Sequence, residues 1–257
     1  MTRRRILRRL AIAFALLSIA FLVAACDGSG EGAGNDGGGV IITPLGTPAE
    51  TPASATNEPS GGETPAIQPT EPVSATLSGF IYPIAGGCLP VGDQLMPNAP
   101  REYRAGIHEG VDFYNVDNCT EVGLGTPIIA AKAGTVIRAD LGYVDLTAER
   151  YAEISQNLTS EQSLDVFRGR QVWIDHGNGI VTRYCHLSGI ADGIVEGAVL
   201  NAGDLVAYVG ESGTPESINN PGSQYHLHFE VRVGDSYLGA GLPPAEVRAL
   251  YLDLFGQ

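Results

Sequence analysis

The stretch Gln224-Tyr225-His226-Leu227-His228-Phe229-Glu230-Val231-Arg232 alternates polar and apolar residues. Side chains two apart on a strand share a face, so His226, His228 and Glu230 look one way while Leu227, Phe229 and Val231 look into a core. Two imidazoles are thereby fixed side by side on one stiff element. The chain has only five histidines, and two of the others also stand in patterned places. His108-Glu109-Gly110-Val111-Asp112 sets an imidazole and a carboxylate four residues apart, with Gly110 letting the backbone turn between them. Tyr184-Cys185-His186-Leu187 offers a further imidazole. A pair of histidines two apart is common on ordinary strands and in cupin-type metal sites, so the information lies in the three elements together.

From Gly79 onward, short β-type runs are separated by glycine and proline. They are Phe80–Tyr82, Gly110–Tyr114, Pro127–Ala130, Thr135–Ile137, Gln171–Asp175, Ile180–Tyr184, Leu205–Val209 and Tyr225–Val233. Frequent short strands with turn punctuation predict an all-β, antiparallel sandwich-like or barrel-like domain, with His176-Gly177-Asn178-Gly179 as a hairpin turn. His176, on that turn, reads as structural. The interruption runs from Gly142 to Gly169, where Thr147–Ile154 and Thr159–Phe167 read as two short helices, the second opened by a Thr159…Gln162 capping box. A polar loop spans Thr214–Ser223, and Ala245–Leu254 after Pro243-Pro244 reads as a terminal helix.

The motifs HEGVD (108–112), YCHLSG (184–189) and HLHFEVR (226–232) resemble those of the lysostaphin/LytM-type zinc endopeptidases that cut peptide bonds in peptidoglycan. Gly125–Val136, Val172–Gly179 and Gly203–Gly210 are similar to that family's strand-and-turn signatures, and the resemblance covers about residues 79–253. It implies a barrel-sandwich hybrid catalytic domain over 77–257, with the helices of about 142–169 as an insertion where the family makes a tighter turn. It also implies one zinc ion held by His108, Asp112 and His228. Such a set leaves a coordination position open, as catalytic rather than structural zinc requires. His186 and His226 match the family's two non-ligand histidines, one serving as general base and the other as donor to the developing oxyanion or leaving amine. A tyrosine ahead of the first histidine stabilises the tetrahedral intermediate in some relatives. Tyr103 is the candidate here, in a segment, Pro97–Arg104, that departs from the family's Phe-Gly-x-Arg approach. The insertion and the 214–223 loop both depart from the family pattern and are expected to border the cleft.

The N-terminal third reads differently. Met1–Arg9 carries five arginines, and Leu10–Ala25 runs without a charge. That run is short for a membrane span, which needs ~20 residues, and its basic flank with small residues at the end reads as a signal peptide over 1–25. Val23-Ala24-Ala25-Cys26 resembles a bacterial lipobox, which implies that Cys26 is acylated and anchors an exported protein on the extracytoplasmic face of the membrane. Thr2–Leu7 is also similar to a twin-arginine signal, so both export routes stay open. Residues 26–76, glycine-rich and then repeating Thr-Pro, read as a disordered linker, because such sequence cannot bury enough apolar area to offset its ordering entropy.

Charge and cysteines narrow the partners. Loss of the five arginines of residues 1–25, a segment without acids, takes the formal net charge from −14 to −19. Nucleic acid is excluded as a partner, since phosphate binding needs a basic surface. Of four cysteines, Cys26 goes to lipid, and Cys88 and Cys119, on loop-like sequence around the first motif, are the expected disulfide, with Cys185 free in a strand. The expected partners are peptidoglycan peptides, the membrane through the lipid, and other cell-wall enzymes. A non-catalytic relative that binds and activates wall amidases is the alternative, and filled ligand positions speak against it. A lipoyl-type hairpin at Gly125–Val136 would leave the histidines unexplained.

Overall fold

The computed structural model describes residues 77–102, 106–116 and 118–257. The signal segment 1–25, Cys26, the linker 26–76 and Tyr103 lie outside the described residues. Among the described residues, twelve short strands follow in chain order. The first six are β1 (Pro100–Arg101), β2 (Gly106–Ile107), β3 (Val111–Phe113), β4 (Pro127–Ile129), β5 (Gly134–Ala139) and β6 (Val172–Asp175). The rest are β7 (Ile180–Cys185), β8 (Leu187–Ile190), β9 (Val199–Leu200), β10 (Leu205–Val209), β11 (Leu227–Val233) and β12 (Ser236–Tyr237). Their pairings are antiparallel. The main sheet runs β12-β11-β7-β6-β5-β9 with β3 also on β11, and a second sheet runs β4-β10-β8. The fold is the all-β one expected from the sequence.

Strand β11 is the hub. One edge pairs with β7 over most of its length; the other pairs with β3 at its start and β12 at its end. Leu227, Phe229 and Val231 are fully buried, as the alternation requires, and share one core with Val111, Phe113, Ile174 and Tyr184. Each large apolar side chain so buried contributes roughly 1.5–3 kcal/mol. The registers carry the functional consequence, for β11 places His228 opposite Asp112 of β3 on one side and opposite Cys185 of β7 on the other.

Strands β5 and β6 are antiparallel neighbours, with Ala139 opposite Val172. The helices α1 (Ala148–Ile154) and α2 (Glu161–Phe167) therefore stand on the crossing of one hairpin. Thr147 caps α1 through the Arg150 amide. The cap of α2 is Ser160 and not the expected Thr159: the Ser160 hydroxyl takes the Ser163 amide at 3.1 Å, one residue further along. Ser163 is itself buried, bonded to Ser160 and to the Ile154 carbonyl, so packing against α1 selects the later start.

Two further expectations are corrected. Phe80–Tyr82 is not a strand, although Ile81 donates to Ala131 and Ile129 donates to Pro83. Pro83 has no amide to continue a ladder, so the pairing stops. The 214–223 segment is not all loop, since it contains a one-turn helix, α3 (Glu216–Asn219), started by the Thr214 hydroxyl accepting from the Ser217 amide. The terminal helix α4 (Pro244–Leu254) opens with proline in its first turn and buries Val247, Tyr251 and Leu254. Phe255, just beyond it, stacks on Tyr82 at 4.2 Å.

Cys88 and Cys119 form a disulfide, Cα atoms 5.5 Å apart, across 31 residues of sequence. On chain-entropy grounds closing a loop of that length removes roughly 3–4 kcal/mol of unfolded-state freedom. Cys185 is free and buried. Burial pushes its thiol well above the usual range, which leaves it unreactive.

Candidate active site

His108, Asp112 and His228 converge. His108 follows β2, and its backbone is fixed by two bonds to the 98–99 segment. Asp112 is on β3 and His228 is its cross-strand partner. The Asp112 Oδ1 atom lies 2.9 Å from His108 Nε2 and 2.8 Å from His228 Nδ1, and the two nitrogens are 3.0 Å apart. The three donors face one point. All three side chains are buried.

Gly110 permits this approach for a reason different from the expected turn. A Cβ there would meet the Phe229 carbonyl oxygen at 2.4 Å and the His228 ring at 3.0 Å. Glycine is needed because two backbones pass in contact, not because the chain reverses.

The outer sides of both imidazoles fix their tautomers. His108 Nδ1 is 2.9 Å from the Met96 carbonyl, which can only accept, so that nitrogen carries the hydrogen and Nε2 is bare. His228 Nε2 is 3.1 Å from the Glu230 carboxylate and Nδ1 is 2.8 Å from that of Asp112, so the neutral ring that donates outward to Glu230 is the one that leaves Nδ1 bare. Two lone pairs and a carboxylate oxygen then point at each other with no hydrogen of their own. Such a set is satisfied by positive charge at its centre, either a proton on His228 Nδ1 donating to Asp112 or a metal ion. Nitrogen and carboxylate donors suit zinc, and the arrangement leaves room for further coordination, so the residues fit the metal.

The electrostatics agree. Burial would raise the Asp112 carboxyl, but His108 and His228 beside it hold it well below the usual carboxylate range. Burial lowers His108 to about 4 against the opposing pull of Asp112, so its ring is neutral at pH 7. Burial works against a charge on His228, yet Asp112 and Glu230 on its two sides raise it, so positive charge is favoured at this point. Arg101 Nη2 donates to the second oxygen of Asp112 at 2.8 Å, which leaves Oδ1 turned inward.

His186 and His226 complete the cleft. Their ring centroids are 4.6 Å apart, and His186 is 5.6 Å from His228. His226 Nδ1 donates to the Gln224 carbonyl at 2.6 Å and His186 Nδ1 donates to the Ser212 carbonyl at 2.9 Å. Each Nε2 is therefore bare, and that of His226 lies 3.9 Å from Asp112 Oδ1. Burial lowers both, so both are neutral bases near pH 7. His186 sits at φ 62° between β7 and β8, a left-handed conformation that costs on the order of 1 kcal/mol in a residue with a side chain. Its amide is held by the Arg168 carbonyl, and Gly169 lets Ser212 come close, since a Cβ there would meet the Ser212 oxygen at 2.1 Å.

The 142–169 and 214–223 segments both border the cleft, a cavity of about 280 Å³. Leu164, Phe167 and Arg168 come from the insertion, and Thr214, Pro215 and Glu216 from the loop before β11. Glu211 steadies that loop by accepting from the Gly222 and Gln224 amides. His176 stands elsewhere, bonded to the Ala133 carbonyl and the Thr182 hydroxyl, and so belongs to the hairpin.

Four neighbours of the site were not singled out from sequence. They are Arg101, Tyr114, Arg168 and Glu230. Tyr114 stacks on His226 with centroids 4.2 Å apart and donates to Gln224. Glu230 carried a signal, because strand parity already put it on the face of His226 and His228. Arg168 carried none, since it reaches Glu230 across 62 residues of sequence.

A sequence profile described as "Peptidase family M23" matches residues 106–239. No curated protein matches the chain. Among solved structures, a zinc-containing peptidase from Vibrio cholerae is 22% identical over 64% of this chain, with a TM-score of 0.41, and the chain spans 40% of that protein's length. The catalytic domain of lysostaphin from Staphylococcus simulans is 21% identical, covering 58% of this chain and 78% of that one, with a TM-score of 0.34. A mutant catalytic domain of the prophage-encoded M23 protein EnpA from Enterococcus faecalis is 20% identical, with 62% of this chain and 95% of that one covered and a TM-score of 0.36.

Proposed function

Because the chain belongs to peptidase family M23, we propose that it is a zinc metalloendopeptidase that hydrolyses peptide bonds in the cross-links or stems of peptidoglycan. The observation that carries this reading is the meeting of three bare donor atoms, from His108, Asp112 and His228, beside two neutral imidazoles in one cleft. A bound zinc supplies a Lewis acid next to the scissile carbonyl. The chain's own residues handle the proton. With Nδ1 of His186 and of His226 each committed to a carbonyl, the bare Nε2 of one takes a proton from the attacking water. Nε2 then carries the hydrogen and can return it to the leaving amine, while the second imidazole, 4.6 Å away between centroids, could donate to a developing oxyanion only once its own Nε2 is protonated. Tyr114, stacked on His226, holds that ring at a fixed tilt. Digestion of purified muropeptides, with products identified by mass, tests the reading: new amino and carboxyl termini within the peptide part are expected, and intact peptides with cleaved glycan or amide-released stems would reject it.

We propose further that the domain is tethered outside the membrane through acylated Cys26 and the 26–76 linker. Such a linker reaches at most ~150 Å at ~3.1 Å per residue, enough for a tethered domain to search the wall. Cys26→Ser is expected to release the protein from membranes with activity on soluble muropeptides unchanged. Retention of the variant with residues 1–25 still attached would instead make that segment an uncleaved anchor.

A further inference from the structure

Glu230 is 0% exposed and sits at the centre of a charge network. Its Oε1 takes His228 Nε2 at 3.1 Å and Arg168 Nε at 2.6 Å. Its Oε2 takes Arg183 at 3.2 Å and Arg232 at 3.3 Å. Glu109 closes the ring by accepting from Arg168 and Arg232, each at 2.7 Å. A buried assembly of this kind adds little net stability, because desolvation offsets most of the attraction and packed apolar side chains would serve the fold as well. What it does supply is a carboxylate that can neither rotate nor leave the back of His228.

The consequence lies at the other ring nitrogen. An imidazole that lost its outward partner could move its hydrogen to Nδ1, the atom 2.8 Å from Asp112 and 3.0 Å from His108. A hydrogen there would occupy the direction in which the three donors face. We propose that Glu230 is a positioning residue of the metal site, which keeps Nδ1 of His228 bare, and that Arg168, at the end of the inserted helix α2, fixes the Glu230 carboxylate for that task. The same residue gives its carbonyl to the His186 amide, so one position at the end of the insertion holds both a donor of the metal set and a cleft histidine. An insertion in a hairpin thereby becomes part of the site.

This role rests on the zinc reading above, and the test separates the two. Zinc affinity of the full-length chain, purified in detergent, is measured by competition with a chromophoric chelator for wild type, E230Q and E230M. Outer partners of metal-bound histidines typically contribute 10–100-fold in affinity. E230M, which removes the acceptor at similar volume, is expected to lose affinity within that range. E230Q, which keeps an oxygen able to accept from Nε2, is expected to recover part of it. The visible spectrum at saturating cobalt should also shift in E230M, a change that a loss of fold stability alone would not produce. If E230M does not fold, E230M/R168M, which removes the acceptor and the facing guanidinium together, is expected to show the same loss. Wild-type affinity and an unchanged cobalt spectrum in folded variants would overturn the role while leaving the zinc reading intact. Absence of zinc binding by the wild type would overturn both.

Discussion

His228→Ala should abolish zinc binding. The substitution removes Nδ1, one of three donors that meet within 3.0 Å, and leaves His108 and Asp112 facing a gap. An outer-sphere partner typically changes affinity 10–100-fold, and loss of a direct donor exceeds that. Metal analysis after gel filtration should read about one zinc per wild-type chain and none per variant. Thermal unfolding gives a second readout through linkage. A ligand at 100 times its dissociation constant stabilises the folded state by about 2.7 kcal/mol, so the wild-type midpoint should rise with added zinc while that of the variant stays put. A variant that retains stoichiometric metal would remove His228 from the site, and a wild type without metal would reject the zinc assignment.

The part of this site legible in sequence was the part governed by strand parity. In 226–230 a period of two puts both histidines and Glu230 on one face, and β11 together with His226, bridged to Gly210 just before it, places them so. Antiparallel pairing then brings Asp112 opposite His228, a register that needs β3 to be a strand, which the run after Gly110 indicated. Local rules sufficed because these neighbours lie on paired strands. The insertion was legible as two helices for a similar reason, since capping is local, and the one-residue error at Ser160 arose where packing of Ser163 against α1 outweighed the local motif.

What sequence did not reveal depends on contacts between distant segments. Gly110 reads as a turn residue until Phe229 is seen to pass against it. Glu230 reads as a strand's polar residue, and its complete burial is possible only because Arg168, Arg183 and Arg232 arrive from three places in the chain. Arg101 looks like one of several charges in the 97–104 segment. Its place on the second oxygen of Asp112 follows from the short β1–β2 pairing, two residues per strand and too brief to leave a periodic signal.

His186→Ala and His226→Ala should each keep zinc and lose most hydrolysis. A positioned proton-transfer group contributes typically 10²–10⁴-fold, so turnover on muropeptides is expected to fall by about that factor with metal content equal to wild type. The double variant should fall by less than the product of the two, because both imidazoles serve the same proton inventory in one cleft. The pH profile carries the sign. Burial lowers both histidines from 6.5, and a nearby dication would lower them further by repelling the second proton. The basic forms therefore persist as pH falls, and the acid limb of the wild-type profile should lie below pH 6.5. Below that limb Nε2 is already protonated and cannot accept from water. A residual rate in either single variant should lose its dependence on the missing histidine, so the acid limb would change shape as well as height. Full activity in one variant would remove that residue from proton transfer, and loss of zinc along with activity would show that the ring acts in holding the metal instead.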